Sequence, residues 1–477
     1  MARIRILRAR IGDNHLYQNC TQEPGIAPLL RLLRRKGYGR MAAQYFPDGT
    51  MMDDWFTEIP EVSLDGMGRQ YRFDENGIRP EASVQTQAIQ SLIDRAAKEG
   101  GGVIVVTPGT FVSGALTFRQ GVNLYLCKGA VLMGSDDITD FPLCQTRIEG
   151  QSCLYFPALV NAEGLDGFTI CGEGTIDGNG LRYWQDFWLR RAWNPRCTNK
   201  DTQRPRLVYI SHCTNVLVTG VTLQNSPLWT NHLYKCRRVK YIGCRILSPH
   251  EPIGAPSSDA IDIDACEDIL VRNCFMAVND DAVALKGGKG AWADAQPENG
   301  GNERILIEDC VYGFCHGCLT FGSENVHTRN VILRNIEVGT GYNMLWMKLR
   351  PDTPQRYEHV LVENIRGKAA NFLNINPWSQ FFDLQGRTDL PKSACRSVTI
   401  RDCKFECDTF FNVKADEAHY HLSDFNLENL AITAANVDVN EAAVEGLRLD
   451  NVRLTKKDTI DYPDGVTTLT DDNTVIS

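Results

Sequence analysis

Short runs of alternating apolar and non-apolar residues recur along most of the chain. From Gly102 onward these runs are broken by Gly, Pro or Asn, and their period of two is typical of strands with one buried face. Nine runs are variations on one theme, and their starting points are 22 to 38 residues apart. A basic unit of about 22 residues with loop insertions of variable length explains this series. The nine runs are 216–223, 239–246, 269–276, 305–312, 331–338, 360–367, 398–405, 425–432 and 447–454.

One such unit cannot bury both of its edges, so successive units must stack and share a core. We therefore predict an all-β fold, a parallel β-helix in which each coil lies about 4.8 Å above the last. The insertions would form loops on one side and could wall a groove. A β-propeller needs four strands per blade and a more regular period, so it ranks well below this interpretation.

One amphipathic helix is predicted ahead of the strands, over residues 83–98, with Ser83 or Thr86 as its N-cap. We expect this helix to cap an otherwise open end of the β-helix. Residues 1–68 are interpreted as an N-terminal extension of uncertain structure, and residues 69–477 as the β-helix domain. The apolar residues at helical spacing are Ala88, Ile89, Leu92, Ile93 and Ala96.

Charge and hydropathy limit the partners. The net charge of −9, from 50 basic and 59 acidic residues, argues against a nucleic-acid partner. No stretch approaches 18 continuous apolar residues, so we predict no membrane span. The first residues are basic but lack the apolar segment of a secretory signal. As the sequence stands we expect a cytoplasmic protein, or a periplasmic or secreted one if a signal was removed; the oligomeric state is not predicted.

The chain contains 17 cysteines, several of them at one repeating position. No pair has the spacing of a zinc site with a matching second pair, and the nearest approach is Cys315–Cys318. We predict reduced cysteines that pack as small hydrophobes and bind no metal. The repeating cysteines, each after a short β-branched run, are Cys244, Cys274, Cys310 and Cys403.

Three carboxylates and one imidazole are predicted to gather on consecutive coils. The segments that carry them align at offsets of 22 and 36 residues, which stacks Asp259 on Asp281. Ser258, Asp280 and His316 form a second column beside that pair. Crowding of carboxylates raises the pKa of at least one of them, and glycoside cleavage needs one protonated and one ionised carboxyl group. The cluster therefore suits acid–base chemistry.

The parity of two of these aspartates conflicts with a regular strand. Asp259 and Asp281 share the parity of Ile261 and Val283, which should point inward. We predict that both aspartates lie just before the strand, where a bend or bulge turns them outward. The alternatives are aspartates that cap turns, or a calcium site.

The segments SSDAIDI (257–263), NDDAVALKGG (279–288) and CHGCLTFGS (315–323) resemble those of the polygalacturonases and their relatives in glycoside hydrolase family 28. The family's hallmarks are an Asn-Thr-Asp segment, a paired Asp-Asp, a Gly-His-Gly and an Arg-x-Lys. The resemblance covers roughly residues 70–456, including GEGTIDGNG (172–180). It implies a right-handed β-helix and inverting, single-displacement hydrolysis without a cofactor or metal.

The resemblance also implies a role for each group of the cluster. Asp280 matches the first of the paired acids and would be the general acid that protonates the leaving oxygen. Asp259 and Asp281 would together activate the attacking water. His316 would support the acid and hold the substrate.

The chain departs from the family at the Arg-x-Lys motif. Lys348 matches the lysine, but Trp346 stands in place of the arginine expected to hold a galacturonate carboxylate, a bidentate task that Trp cannot perform. Arg350, two residues further on, is a candidate substitute. Otherwise Trp346 stacks on a neutral or deoxy sugar, which would favour a rhamnogalacturonan-type substrate, or it has a purely structural role. Ser257 and Cys315 also replace an Asn and a Gly of the motifs.

Four further residues are candidates for contact with substrate. His232 and Asp262 share a register with Trp346, and the alternative for His232 is a satisfied structural histidine. Glu324 and Lys286 have the outward parity. A segment rich in aromatic residues, 183–196, is predicted either to wall one end of the groove or to form a surface helix with a buried aromatic stripe.

The sequence thus predicts a glycoside hydrolase of α-linked, galacturonate-containing pectic oligosaccharides or polysaccharides, polygalacturonase-like or rhamnogalacturonan-hydrolase-like. Exo action is expected. One alternative is a β-helix pectate or pectin-type lyase, which typically needs calcium and a basic residue in the groove. The other is a non-catalytic β-helix protein that binds glycans.

Overall fold

The computed structural model describes residues 44–378 and 382–462. Residues 1–43 of the predicted N-terminal extension therefore lie outside the described residues. In the described part, two α-helices, α1 (Thr86–Lys98) and α2 (Leu181–Trp193), accompany a long series of strands. None of the helices there combines the length and the apolar character needed to cross a membrane.

Thirty strands follow one another along the described residues. The first twelve are β1 Gln70–Arg72, β2 Glu81–Val84, β3 Gly102–Val106, β4 Gly109–Ser113, β5 Leu116–Thr117, β6 Val122–Leu126, β7 Ala130–Gly134, β8 Cys144–Ile148, β9 Gln151–Tyr155, β10 Val160–Glu163, β11 Thr169–Gly172 and β12 Thr175–Asp177. The next twelve are β13 Val208–Ser211, β14 Thr214–Thr219, β15 Thr222–Gln224, β16 Asn231–Tyr234, β17 Arg237–Ile242, β18 Arg245–Leu247, β19 Ile261–Asp264, β20 Glu267–Arg272, β21 Phe275–Ala277, β22 Val283–Lys286, β23 Gly301–Glu308 and β24 Val311–Phe321. The last six are β25 His327–Leu349, β26 Arg356–Pro377, β27 Ser393–Arg401, β28 Lys404–Val413, β29 Tyr420–Asn436 and β30 Arg448–Lys456.

Twenty-eight of these strands form the predicted right-handed parallel β-helix, and β8 and β9 form a separate antiparallel hairpin. Each coil contributes one strand to each of three parallel faces, as β16, β17 and β18 do before β19, β20 and β21 stack on them. The long strands β24, β25 and β26 bend from one face to the next. The face that contains β16, β19, β22 and the ends of β24 and β25 is called the site face below.

The sequence repeat reflects a bend that recurs in successive coils. Seven of the nine repeats have an Asn or Asp at this bend, in the left-handed conformation with φ between +52° and +58°, and the first two repeats have Gly220 and Gly243 there. Apart from glycine, Asn and Asp tolerate this conformation better than other residues do. Their side chains also form a ladder, in which the Asn335 amide donates to Asp309 at 2.9 Å. The bend residues are Asn273, Asp309, Asn335, Asn364, Asp402, Asn429 and Asn451.

The cysteine prediction is confirmed for the repeating positions. Cys244, Cys274, Cys310 and Cys403 are buried, and the cysteines among the described residues are all free thiols. The main-chain amide of Cys274 donates to the sulfur of Cys310 in the next coil at 3.4 Å. The thiols thus fill the core next to the recurring bend.

The first helix is present, but its start was predicted wrongly. Helix α1 begins at Thr86 with Gln85 at the N-cap position, where no side-chain cap forms. The Thr86 hydroxyl instead accepts a hydrogen bond from the amide of Gly114 at 2.7 Å. Four of the five predicted apolar residues are buried, and Ala88 is exposed. The buried residues are Ile89, Leu92, Ile93 and Ala96.

The described part of the N-terminal extension packs on the outer surface of the β-helix. Phe46 and Phe56 form a small apolar cluster with Leu270, Leu306 and Ile332, which lie in successive coils. This cluster lies outside the main core, on the face formed by β20, β23 and β25.

Candidate active site

The predicted stacking register is observed on the site face. Strand β19 pairs with β22 so that Ile261 lies opposite Val283, and β22 pairs with β24 so that Leu285 lies opposite Phe321. The same register holds just before β22 begins, because the amide of His316 on β24 donates to the carbonyl of Asp280 at 2.9 Å. Asp259, Asp280, Asp281 and His316 therefore lie on consecutive coils.

The side chains of this group also meet. One oxygen from each of Asp259, Asp280 and Asp281 lies within 4.8 Å of one from each of the others. The imidazole Nδ1 of His316 is 3.6 Å from Asp280 Oδ1. The side chain of Asp280 is 25% exposed, whereas those of Asp259 and Asp281 are almost fully buried. Asp280 is thus the member of the group that a substrate reaches first.

The parity conflict is resolved as predicted. Strands β19 and β22 begin only at Ile261 and Val283, so Asp259 and Asp281 precede the regular alternation. The carboxylate of Asp281 reaches the outward-facing Lys348, with Oδ2 3.0 Å from Nζ. Gly317 leaves room for it, because a Cβ atom there would lie 2.7 Å from Asp281 Oδ1.

The environment of Asp280 raises the pKa of its carboxyl group to about 7. Burial is the largest cause, the charge of Asp281 is the next, and the ammonium groups of Lys348 and Lys286 partly oppose them. Burial and the charge of Asp280 also raise the pKa of Asp259 well above its ordinary value. A carboxyl group that keeps its proton near neutral pH therefore lies next to further carboxyl groups, as acid–base catalysis requires.

The Lys286 ammonium group compensates the negative charge of the buried carboxylates next to the aspartates. Its Nζ lies 3.4 Å from Glu324, 3.7 Å from Asp262 and 3.9 Å from Asp259. Burial opposes the charged form of Lys286, but the carboxylates, led by Glu324, raise its pKa well above the usual value. Asp262 is fully buried and neither of its oxygens accepts a hydrogen bond. The predicted residues Lys286, Glu324 and Asp262 thus form a charge network under the aspartates, and their substrate contacts stay a prediction.

Trp346 and Arg350 do not have the open position that we predicted for sugar contact. Trp346 is only 5% exposed, and Lys348 Nζ lies 3.9 Å from its ring centroid. Arg350 is buried and binds Asp352 through two hydrogen bonds of 2.8 and 2.9 Å. Arg350 therefore already has a carboxylate partner, and the face of Trp346 is occupied by an ammonium group rather than left for a sugar.

His232 belongs to a second buried network. Its Nδ1 lies 2.7 Å from Arg206, and its Nε2 lies 3.3 Å from Asp264. Arg147 binds the same Asp264 carboxylate at 2.7 and 3.1 Å. Burial lowers the pKa of His232 to about 4, so its ring is neutral. The register predicted for His232 is observed, but the ring is fully buried and we assign it no substrate contact.

An antiparallel hairpin, β8–β9, covers this second network. Arg147 extends from the hairpin to Asp264 on β19. The hairpin's turn packs closely on the site face, because a Cβ atom on Gly150 would lie 2.9 Å from the backbone of Gly288 and 3.0 Å from Glu324. Glu149 lies 4.0 Å from Lys289. The hairpin therefore covers the site face at the C-terminal ends of β19, β22 and β24.

The aromatic segment is a helix with a buried stripe, as the second of our two interpretations states. Tyr183, Trp184 and Phe187 of α2 are buried, whereas Trp193 at its end is 89% exposed. The indole of Trp188 donates to the carbonyl of Gly254 at 2.8 Å.

The positive groups around the aspartates lead to a prediction about metal ions. Lys286 and Lys348 lie where a calcium ion would otherwise balance the carboxylates, so we expect EDTA to leave the rate of hydrolysis unchanged. The measurement is the initial rate on oligogalacturonide after dialysis against EDTA, with and without added Ca²⁺. A loss of activity that Ca²⁺ restores would contradict this expectation and favour the lyase alternative.

Known proteins resemble this chain in both sequence and structure. A grapevine (Vitis vinifera) protein described as a probable polygalacturonase is 29% identical over 224 residues, which cover 45% of this chain and 43% of that protein. This chain therefore spans less than half of the length of that relative. An endo-polygalacturonase of Pectobacterium parmentieri is 26% identical over 304 residues, which cover 60% of this chain and 71% of that protein.

The fold is also similar to that of a solved structure. The crystal structure of a hyperthermoactive exopolygalacturonase from Thermotoga maritima superposes with a TM-score of 0.70 at 22% identity, over 83% of this chain and 93% of that one. The sequence model of glycosyl hydrolases family 28 matches residues 137–370, which include the aspartates, His316 and Lys348. Over these residues the chain is similar to glycosyl hydrolases family 28.

Proposed function

We propose that this protein is a glycoside hydrolase that cleaves α-linked, galacturonate-containing pectic chains. The observation that carries the proposal is the cluster of Asp280 with two further carboxyl groups, whose oxygens lie within 4.8 Å of one another. Burial and this crowding raise the pKa of Asp280 to about 7. The names of the relatives, probable polygalacturonase and endo-polygalacturonase, support galacturonate as the sugar. Glycoside hydrolysis needs this combination of a proton donor and a carboxylate that activates water.

The positions of the side chains suggest one role for each. Asp280, the most exposed of the three aspartates, donates its proton to the oxygen of the departing sugar. Asp259 and Asp281 hold the attacking water, and Asp281, which is paired with Lys348, accepts its proton. His316, whose Nδ1 is 3.6 Å from Asp280, orients the acid. Lys348 balances the charge of Asp281, so that the groove can accept an anionic sugar beside it.

The roof formed by the β8–β9 hairpin supports exo action. Because the hairpin covers the site face at the C-terminal ends of β19, β22 and β24, a bound chain has room for only a short segment in that direction. We expect a galacturonate decamer to lose one or two sugars at a time, so that monomer or dimer accumulates before chains of intermediate length. The measurement is mass spectrometry of products at less than a tenth of full conversion. Early release of pentamers and hexamers would contradict exo action.

The stereochemical outcome is a separate prediction. The nearest carboxyl oxygens lie within 4.8 Å, closer than the roughly 6.5–9.5 Å between carboxyl groups usual for inverting enzymes. We nevertheless propose inversion, as the family resemblance implies, with water held between Asp259 and Asp281. Proton NMR of the first product should show the β-anomer from an α-linked substrate. An initial α-anomer would assign Asp259 or Asp281 as a covalent nucleophile.

The lyase alternative makes a different product. A lyase needs an unprotonated basic side chain in the groove to remove a proton from the sugar ring. Lys286 and Lys348 are both paired with carboxylates, and the pKa of Lys286 is raised. We therefore expect products without the ultraviolet absorbance of an unsaturated uronate. Binding without any cleavage would support the glycan-binding alternative instead.

A further inference from the structure

We propose that Trp346 and Trp378 are positioning residues that hold the Lys348 ammonium group on Asp281. The proposal rests on the proposed hydrolase function, because it assigns the indoles a role in tuning the acid and base of that reaction. It gives Trp346, which stands where the family has an arginine, a task other than contact with sugar.

The geometry is that of an aromatic clamp around a cation. Lys348 Nζ lies 3.9 Å from the ring centroid of Trp346 and 5.0 Å from that of Trp378. The two rings are 5.7 Å apart and meet edge to face at 71°. A third partner, Asp281 Oδ2, lies 3.0 Å from the same nitrogen. An ammonium group over an indole face is attracted by the ring quadrupole, most strongly where water is excluded.

The fold brings the two indoles together from adjacent coils. Trp346 is two residues before Lys348 on β25, on the same outward face. Trp378 follows the end of β26, where Leu349 lies opposite Pro377 and the Trp378 amide donates to the carbonyl of Leu349 at 2.7 Å. The lysine stem is flexible and has many rotamers. The two indole rings and the Asp281 carboxylate restrict the Lys348 side chain to few of these rotamers.

The position of this ammonium group affects the acid as well as the base. Lys348 lowers the pKa of Asp280 and so partly offsets burial and the charge of Asp281. If the ammonium group moves away, the pKa of Asp280 rises above about 7. The alkaline limb of the pH–rate profile, where Asp280 loses its proton, then moves to higher pH. The charged and titratable groups around Asp280 are Asp259, Asp281, Lys286, Lys348, His316 and Arg204.

The test compares Trp346→Leu and Trp346→Phe with the wild type on trigalacturonate. For W346L we expect kcat to fall about tenfold, KM to change less than about threefold, and the alkaline limb to move up by about half a pH unit or more. W346F keeps an aromatic face and should lie close to the wild type. For the second variant, Trp378→Leu, we expect a smaller shift of the alkaline limb in the same direction, because the Trp378 ring is further from Nζ. This variant also tests the proposal if W346L does not fold.

A matched control exists elsewhere in the chain. Trp55 has Lys240 Nζ 4.5 Å from its ring centroid, on the outer surface away from the aspartates. Trp55→Leu removes the same kind of contact and should leave kcat, KM and the alkaline limb unchanged. A shift in this variant equal to that of W346L would show a general loss of stability and would overturn the proposal.

Crystal structures of the variants give a readout independent of activity. In W346L we expect Lys348 Nζ to leave Asp281, and a nitrogen that stays about 3.0 Å from Oδ2 would overturn the proposal. A rise in KM with an unchanged limb would also overturn it, because it would assign Trp346 to sugar binding. If the wild type cleaves no galacturonide, the proposed function fails, while these crystal structures still decide the positioning role.

Discussion

Replacement of Asp280 by Asn is expected to lower kcat/KM on oligogalacturonides by about three orders of magnitude and to leave the fold intact. The amide has nearly the same shape as the carboxyl group, and its oxygen can still accept the 2.9 Å hydrogen bond from the amide of Asp281. It has no acidic proton to give to the leaving oxygen. Initial rates at pH 5–6, with circular dichroism melting curves as the check on folding, measure both effects.

The control and the pH dependence sharpen this expectation. Asp450→Asn, on an exposed position of the last coil, should leave kcat/KM unchanged. Wild-type activity should fall as the pH rises through about 7, because Asp280 then loses its proton. The residual rate of D280N should not fall as the pH rises through this range. More than a tenth of wild-type activity in D280N would remove the assignment of Asp280 as the acid.

The raised pKa also links Asp280 to stability. Its pKa in the folded protein, about 7, lies above the ordinary value of 3.8. The folded state therefore binds this proton more tightly than the unfolded chain does. That contribution is fully present below about pH 4 and is lost as the pH rises through about 7. D280N removes this part of the pH dependence of unfolding.

Replacement of Lys286 by Met is expected to lower the free energy of unfolding by about 3–5 kcal/mol, the cost of leaving buried charges without a partner. Met has a similar length and fills most of the same space. It leaves Glu324 and Asp259 without the ammonium group that lies 3.4 and 3.9 Å from them. Urea unfolding followed by tryptophan fluorescence measures the loss.

Lys240→Met provides the matched control, because both lysines are buried and each lies over an indole ring. Lys240 donates to the carbonyl of Glu58 rather than to a carboxylate cluster. We expect a loss of about 1 kcal/mol there, typical of one hydrogen bond. The double variant K286M/E324Q should recover part of the loss in K286M, since it removes one unpaired charge. Equal losses in the two single variants would contradict the charge network around Lys286.

Much of the fold and of the cluster could be predicted from the sequence. A strand alternates with a period of exactly two residues between its faces, so the offset between two repeats specifies which residues stack. The offset of 22 residues was enough to place Asp259 on Asp281, and the offset of 36 placed His316 next to Asp280.

The charge of the cluster was predictable for the same reason. Like carboxylates on adjacent coils repel one another, which raises the pKa of at least one of them wherever the coils stack. The sequence did not show that Asp280 would be the most exposed of the three, since exposure depends on the loops around it.

Other contacts depend on insertions that the repeat does not describe. Arg147 lies 117 residues before its partner Asp264, on a hairpin that leaves the β-helix and folds back over it. No periodic pattern relates the two residues, so the burial of His232 beneath that hairpin could not be predicted. The N-cap of α1 was missed for a related reason, because Thr86 bonds to Gly114 in another coil.

The sequence by itself determined the solenoid, its register and the meeting of the acidic groups, because a repeating strand pattern allows only one stacking that keeps every apolar residue inside. Tertiary structure alone decided which outward residues stay open to a substrate. Trp346 and Trp378 come from adjacent coils and close over Lys348, and Arg350 turns to Asp352. Parity along one strand specifies the side on which a residue lies, but the neighbouring coils and loops determine what covers it.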